Sequence, residues 1–496
     1  MTAVTESAVQ HRQPAPRDKR RSWPQLPLAG FASVLAAGTA LRMLELGNSP
    51  AWQWDEAVYC RVAVNLQHGV LAVHALLGVP AQPFLFQPPI YLVMLAQWFS
   101  AVGASIYHAR VLGVVLTAGM IAVLFRLLWK IHSPGVAFLA IVPVVFDGWL
   151  MYIERVSYIE NALLLIIAAG FLLYQRALER PSWQRFAVAG AVLGFAAVFK
   201  QTGAYGLTTV LLCWLILRRA HRGHLVLLGV FAAVGVAYVT TMVLLYDGAG
   251  HDWYVNESLV QVRRVLGLQH SGGTLTSPSA VLHLLASEYR YFIPSALMAL
   301  AAFVAAARRL LQCYRVRNWV PAQGNALLFS WLVSGIVVFG ISALQFPQYF
   351  ALILVPAYCF LWTEVARLDW RPAWKGATAG AAALAGAASL LLALQAFSAN
   401  TLAETQHYAA THIPADSIVV TEQSIGDLIS QPWCTVEDAV PCLHVASYAI
   451  TWKTYLQSSF REGDPAFLQL MKGAVRVKSF SGAVGTATVW QLRRAV

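Results

Sequence analysis

The sequence predicts an α-helical polytopic membrane protein with about eleven transmembrane helices, interfacial helices in the first outer loop and a small α/β domain at the C-terminal end. Three observations predict it. Of 496 residues, 58% are hydrophobic and only 12% are charged, and uncharged runs of about twenty residues, the length that spans a bilayer core, recur along the chain. Basic residues collect in short clusters between those runs, as cytoplasmic anchoring requires. From about residue 400 onward the polar content rises, and β-rich runs alternate with helix-like stretches.

Residues 1–24 read as a basic cytoplasmic tail. Arg12, Arg17, Lys19, Arg20 and Arg21 precede a full-length apolar run, so the first span, near 25–46, is expected to be a retained anchor and not a cleaved signal. In a soluble protein the net charge of +12 would suggest nucleic acid; here the anchoring clusters account for it, and no nucleic-acid partner is expected. With the N-terminus in the cytoplasm, the first loop, 47–108, faces outside.

That loop opens on a polar island, Trp52-Gln53-Trp54-Asp55-Glu56-Ala57-Val58-Tyr59. Val58, Val62 and Leu66 then recur every four positions, which predicts an amphipathic helix over 55–69 suited to the membrane interface. The next apolar run, 88–99, is short, opens with Pro88-Pro89 and contains Gln97. Too short to span, it reads as interfacial or re-entrant.

If it does not cross, the clusters Arg126/Lys130, Arg176/Arg180/Arg185, Arg218/Arg219/Arg222, Arg308/Arg309/Arg315/Arg317 and Arg367/Arg371/Lys375 all face the cytoplasm. With the N-terminal five they make up more than half of the 35 Lys and Arg. The remaining spans then fall near 109–129, 135–152, 157–175, 186–201, 203–218, 225–245, 291–311, 326–344, 348–365 and 376–397. The transmembrane domain occupies 25–399. The segment 400–496, with β-rich runs at 417–421, 475–480 and 485–492 and a helix-like stretch at 464–471, is expected to be an extracytoplasmic α/β domain.

Six cysteines are scattered without a C-x-x-C. Only Cys434 and Cys442 lie close together in a polar stretch. Oxidised, they would close a small loop and stabilise it by roughly 2–3 kcal/mol in an oxidising compartment; the other reading is two unrelated thiols.

Under this topology the unusual charges collect at outer span ends: Asp55, Glu56, Arg61, Arg110, Asp147, Glu154, Arg155, Glu160 and Lys200. A charge within a membrane segment costs about 2.5–3.5 kcal/mol on insertion scales, so such residues usually face a polar cavity and serve function. Structural readings stand beside each. Asp55 and Glu56 could cap their helix, Arg110 could snorkel to the interface, and Arg155 could pair with Glu154 or Glu160. Lys200, between two apolar runs, is the hardest to assign a purely structural role.

Chemistry narrows the choice. Outside the plasma membrane there is no nucleotide-sugar pool, and the chain has neither a P-loop nor a Gly-rich dinucleotide fingerprint. A transferase working there needs a donor that crosses within the membrane, such as a sugar on a polyprenyl phosphate. The phosphate leaving group must be stabilised by Arg or Lys. The acceptor hydroxyl needs one carboxylate as base on the opposite face of the sugar. One base and several cations predict an inverting single displacement. A lipid or sugar transporter or flippase is the alternative from another class, but transporters place their sites near the midplane between internal repeats, and no repeat is evident. An inactive scaffold is a third reading.

These residues resemble the protein O-mannosyltransferase (dolichyl-phosphate-mannose-protein mannosyltransferase) family and its bacterial relatives, including the lipid A aminoarabinose transferases, with the C-type glycosyltransferase fold. Asp55-Glu56 resembles the family's Asp-Glu pair in the first outer loop, which implies Asp55 as base and Glu56 as a supporting carboxylate. Gln87-Pro88-Pro89-Ile90-Tyr91 is similar to its His-Pro-Pro-Leu segment, with Gln in place of His. Arg110, Arg155 and Lys200 match cations implicated in donor-phosphate binding. Asp147, Arg155 and Glu160 follow the spacing of an Asp, Arg, Asp pattern. Gln348-Tyr349 before Pro356 resembles a late Arg-Tyr-…-Pro element.

The resemblance thus implies a polyprenyl-phosphate-linked, mannose-like sugar donor, a glycan, lipid or protein acceptor, and a multi-pass plasma-membrane location. Its likeness is closer to bacterial members than to the eukaryotic type, because the large lumenal insert is not found. It permits a divalent metal ion, although no ligand cluster in the sequence demands one.

Overall fold

The computed structural model describes residues 25–72, 83–217, 222–248, 250–265, 290–316, 323–341, 347–396, 398–434, 445–454, 465–482 and 485–492. The basic segment 1–24 and Cys442 lie outside the described residues, so the tail and the Cys434–Cys442 pairing stay as expectations. The chain begins with α1 (Gln25–Met43), α2 (Trp54–Gln67), α3 (Ile90–Val102), α4 (Ile106–Ile131), α5 (Pro134–Phe146), α6 (Gly148–Glu154) and α7 (Ile159–Glu179). It continues through α8 (Trp183–Phe199), a 3-10 turn (Gln201–Ala204), α9 (Tyr205–Leu217), α10 (Arg222–Tyr246) and α11 (Trp253–Val265). Four long helices follow: α12 (Ile293–Val316), α13 (Gln323–Ile341), α14 (Pro347–Arg367) and α15 (Pro372–Ala396).

Among the described residues, six helices are long and apolar enough to cross a membrane, and seven if α5 and α6 count as one bent span. The sequence count of eleven also draws on α1, α8, α9 and α13, which are shorter apolar helices. The span expected as one helix near 135–152 is in fact two, bent by 64°. Asp147 explains the break. Its backbone is extended, at φ −65° and ψ 127°, and its carboxylate accepts a hydrogen bond from the Leu150 N–H at 2.8 Å, starting a new helix. Helix α15 crosses this break at backbone distance: a Cβ on Gly386 would lie 1.9 Å from the Phe146 carbonyl oxygen.

Helix α3 has 13 residues, about 20 Å at 1.5 Å per residue, well short of a core of about 30 Å. Its apolar side meets α2. Val58 and Val62 are fully buried with Tyr91, Leu92, Leu95 and Phe99 of α3, Ala109 and Leu112 of α4, Ile159 of α7 and Phe199 of α8. The stripe expected to suit the membrane interface is therefore covered by protein. Periodicity announces an apolar face but not its partner, and α3 supplies a closer apolar surface than the bilayer.

After α16 (Thr401–His412) come β1 (Val419–Thr421), α17 (Gln423–Gly426), β2 (Trp433–Cys434), β3 (Tyr448–Thr454), α18 (Pro465–Met471), β4 (Val475–Gly482) and β5 (Gly485–Gln491). They form one mixed sheet in the order β2-β1-β3-β5-β4. β1 pairs in parallel with β2 and β3, and β5 is antiparallel to β3 and β4. Alternation buries Val419, Ile450, Trp452, Ala487 and Val489 against Leu402 and Ala409 of α16 and Ile413 just after it. Edge strand β4 is kept polar by Arg476 and Lys478 and is bulged between them.

The sheet region is fastened to the first loop. Trp52 packs on its core, the Trp52 N–H donates to Asn400 Oδ1 at 3.3 Å, and Asn400 Nδ2 donates to the Asn48 carbonyl at 3.4 Å. Arg61 Nε and Nη2 both donate to the Asp427 carbonyl, at 3.1 and 2.7 Å. Helix α2 is thus held between the membrane helices and the sheet.

Candidate active site

Helix α2 begins just after its N-cap residue, Gln53, and the two carboxylates of its first turn diverge. Adjacent side chains on a helix point about 100° apart, so one acid turns inward and the other stays at the surface. Glu56 is the inward one and is fully buried. Its Oε2 accepts from the Gln53 N–H at 3.0 Å, closing the helix start. Its Oε1 accepts from the Ser157 N–H at 3.0 Å. Arg110 Nε and Nη2 reach the two oxygens at 2.8 and 2.7 Å, and Arg110 Nη1 donates to the Leu46 carbonyl at 2.9 Å. The capping reading therefore holds for Glu56. This carboxylate is saturated with donors and bound into the scaffold.

Asp55 is partly exposed and belongs to a second group. Burial pushes the Tyr59 phenol well above its ordinary range, and the carboxylates of Asp55 and Glu160 add to the shift. The phenol keeps its proton and can only donate to an anion. Lys200 lies within electrostatic reach of both Glu160 and Asp55. Its ammonium pairs with Glu160 and sits 5.3 Å from the centroid of the Tyr349 ring. The end of α8 (Lys200), the start of α7 (Glu160), the start of α14 (Tyr349) and α2 (Asp55, Tyr59) meet here. An ammonium has three donors, and one bond to Glu160 leaves two for a further anion.

Aromatic rings form the floor between the two groups. Tyr91 packs edge-on against Tyr59 at 5.9 Å and against Phe199 at 6.2 Å. The Tyr91 hydroxyl bonds Ser157 Oγ at 2.7 Å. Gln87, at the entry to α3, has its Oε1 buried without a hydrogen-bond partner among the described residues. Gln348, beside Tyr349, is buried.

The other expected site residues are placed elsewhere. Arg155 Nη1 donates to the Leu41 carbonyl at 3.0 Å, and Nη2 donates to the carbonyls of Leu44 and Ser49. It closes the C-terminal end of α1, where exposed carbonyls favour a cation, and does not pair with Glu154 or Glu160. Glu154 pairs with Arg42, a buried arginine of α1 that the sequence reading passed over. Arg42 reads as the last basic residue of an apolar run, and only its burial beside a carboxylate separates it from an ordinary anchor. Asp147 accepts from the Tyr358 hydroxyl as well as from Leu150. Asp55 thus lies within electrostatic reach of Lys200, whose ammonium spends one donor on Glu160, whereas Arg110 and Arg155 each make three hydrogen bonds against which any phosphate would have to compete.

Among the described residues, no group of three or more His, Cys, Asp or Glu forms that could hold a metal ion. Cys434 is buried on β2.

A family model described as glycosyltransferase family 87 matches residues 84–335. That range takes in Gln87, Tyr91, Arg110, Glu160 and Lys200 and begins after the Asp55-Glu56 pair. No curated protein matches the sequence. Among solved structures, ArnT from Cupriavidus metallidurans bound to undecaprenyl phosphate is similar at a TM-score of 0.64 and 11% identity, over 93% of this chain and 98% of that one. Apo ArnT gives the same TM-score and identity, over 94% and 98%. The apo oligosaccharyltransferase of Archaeoglobus fulgidus gives 0.56 at 12% identity, over 87% and 70%. These likenesses carry the fold, which is the C-type glycosyltransferase fold that the resemblance implied.

Proposed function

The chain belongs to glycosyltransferase family 87, and from that premise we propose that it transfers a sugar from a polyprenyl-phosphate donor to an acceptor hydroxyl on the outer face of the membrane. The observation that carries this reading is that a partly exposed carboxylate, Asp55, lies within electrostatic reach of a buried ammonium, Lys200. The ArnT structure with undecaprenyl phosphate bound supports a lipid phosphate as the leaving group on this fold.

In this mechanism Asp55 takes the proton of the acceptor hydroxyl as its oxygen bonds the anomeric carbon. The carbon–oxygen bond to phosphate breaks with its electron pair, and polyprenyl phosphate leaves. Base and leaving group lie on opposite faces of the sugar, so the configuration inverts. Lys200 neutralises the departing phosphate, with the Tyr59 hydroxyl as a further donor. Glu56 and Arg110 are positioning residues that fix α2, and Arg155 ties the end of α1 to the same floor. Gln87, Tyr91, Gln348 and Tyr349 shape the sugar and phosphate surroundings. The sugar is mannose-like, and the acceptor is a glycan, lipid or protein hydroxyl. The protein lies in the plasma membrane with a cytoplasmic N-terminus, and residues 400–496 form an extracytoplasmic domain over the site.

The test is to incubate the purified protein with a panel of polyprenyl-phosphate sugars and measure released polyprenyl phosphate. Release from at least one, dependent on Asp55, is expected; no release and no binding across the panel would overturn the reading.

A further inference from the structure

Helix α11 carries a face that no other element among the described residues covers. Val255, Leu259 and Val262 are 41%, 46% and 54% exposed. They fall within about 60° of one another around the helix, at about 100° per residue. Arg263 is exposed at the edge of that stripe, while Glu257 and Gln261 lie on the opposite, more buried side.

The position of α11 is fixed by its neighbours. The Asp247 carboxylate accepts from the N–H groups of Tyr254 and Val255, at 2.8 and 3.3 Å, and so holds the first turn against the end of α10. The Tyr254 ring meets Tyr238 of α10 at 6.3 Å. Helix α10 itself faces outward: Val236, Val239, Leu244 and Leu245 are exposed on a helix apolar and long enough to span. The apolar stripe of α11 therefore continues a surface that lipid must cover.

The membrane face follows from packing. Gly190 abuts Leu227 and Gly194 abuts Phe231, so α8 and α10 run parallel in the same register. The level of Lys200 on α8 thus corresponds to about residue 237 on α10, and Tyr246 lies about 13 Å beyond it at 1.5 Å per residue. Tyr238 lies at the level of Lys200 and meets Tyr254 of α11, and such amphipathic rings concentrate at headgroup depth.

We propose that α11 is an interfacial helix docked on the phospholipid surface. Val255, Leu259 and Val262 enter the headgroup–acyl boundary of the leaflet on the Lys200 side, and Arg263 at the stripe's edge takes the phosphate of an anionic headgroup. An apolar face flanked by a cation is the pattern that seats helices in that plane. The assignment does not depend on which donor the enzyme uses.

The full-length protein is reconstituted in nanodiscs of phosphatidylcholine with phosphatidylglycerol. An environment-sensitive fluorophore is placed at V255C, L259C or V262C, with D416C as a water-exposed reference and the parent chain as background. Lipids carrying a nitroxide on an upper acyl carbon are expected to quench the three α11 labels several-fold more than aqueous iodide does, and the order should reverse at residue 416. Labels at 255, 259 and 262 that behave like the one at 416 would overturn the proposal, as would labels reached by neither quencher, which would mean a protein partner on this face. A second variant, L259E in the V255C chain, is expected to shift the label toward iodide; unchanged lipid quenching there would also count against docking through this stripe.

Discussion

Glu56 and Arg110 meet as a bidentate pair at 2.7 and 2.8 Å, with neither side chain reached by solvent. Breaking such a pair by removing one partner costs about 3–5 kcal/mol, because the other charge is left buried. The two losses should not be equal. Without Arg110, Glu56 keeps two backbone N–H donors; without Glu56, Arg110 keeps one carbonyl. Glu56→Ala is therefore expected to lower stability more than Arg110→Ala, as read by thermal unfolding in detergent. An Arg110→Ala protein with unchanged stability and lost donor binding would return Arg110 to the phosphate.

Asp55 makes the complementary prediction. Being partly exposed, it should tolerate Asp55→Asn with little change in unfolding temperature, while transfer falls by about 10²- to 10⁴-fold, the usual contribution of a general base. Measurement of released polyprenyl phosphate beside a melting curve separates the two effects. Retention of full activity would remove Asp55 from the chemistry.

Lys200 and Glu160 can be told apart by donor affinity. Lys200→Ala removes a charged donor worth about 1.5–3 kcal/mol, so donor affinity should weaken about ten- to a hundredfold. Glu160→Gln frees the ammonium and should leave donor affinity equal or better. Equal losses in both variants would make the pair a structural clasp only.

Asp427 predicts a pH effect on stability. Its carboxyl oxygens are buried without hydrogen-bond partners among the described residues, and burial holds the acid well above the ordinary aspartate range, with Arg61 opposing the shift. A folded state that keeps a proton the unfolded chain releases loses stability as pH rises from about 4, the ordinary aspartate value, toward the raised one. Asp427→Asn should therefore stabilise the sheet region at neutral pH, change it little near pH 4, and flatten the profile between. Melting temperatures across that range would show it; parallel profiles for both proteins would place the carboxyl in a wetter setting.

Much of this was legible from residues alone, for identifiable reasons. Apolar runs announced α4, α7, α10 and α14 closely, because hydropathy over a long window depends on composition and not on neighbours. The Asp55-Glu56 island stood out because two adjacent acids interrupt a stretch that is otherwise aromatic and apolar. Partner choice was not. Nothing local tells whether Val58 and Val62 meet lipid or α3, whether Arg155 finds a carboxylate or three carbonyls, or that Arg42, 112 residues before Glu154 in sequence, is its partner. The break at Asp147 was hidden because hydrophobicity continues through it, while capping and the close approach of Gly386 decide the geometry.

The order of the two acids carries information that their charge does not. A chain reading Glu-Asp at positions 55 and 56 would have the same composition and pI, yet it would point the longer acid outward and leave the shorter one reaching for a guanidinium placed for the other. One position aims the helix and the next uses the aim. Any search for relatives of this site should therefore weigh the sequence of the pair and the arginine that reads its second member, not the mere presence of two carboxylates.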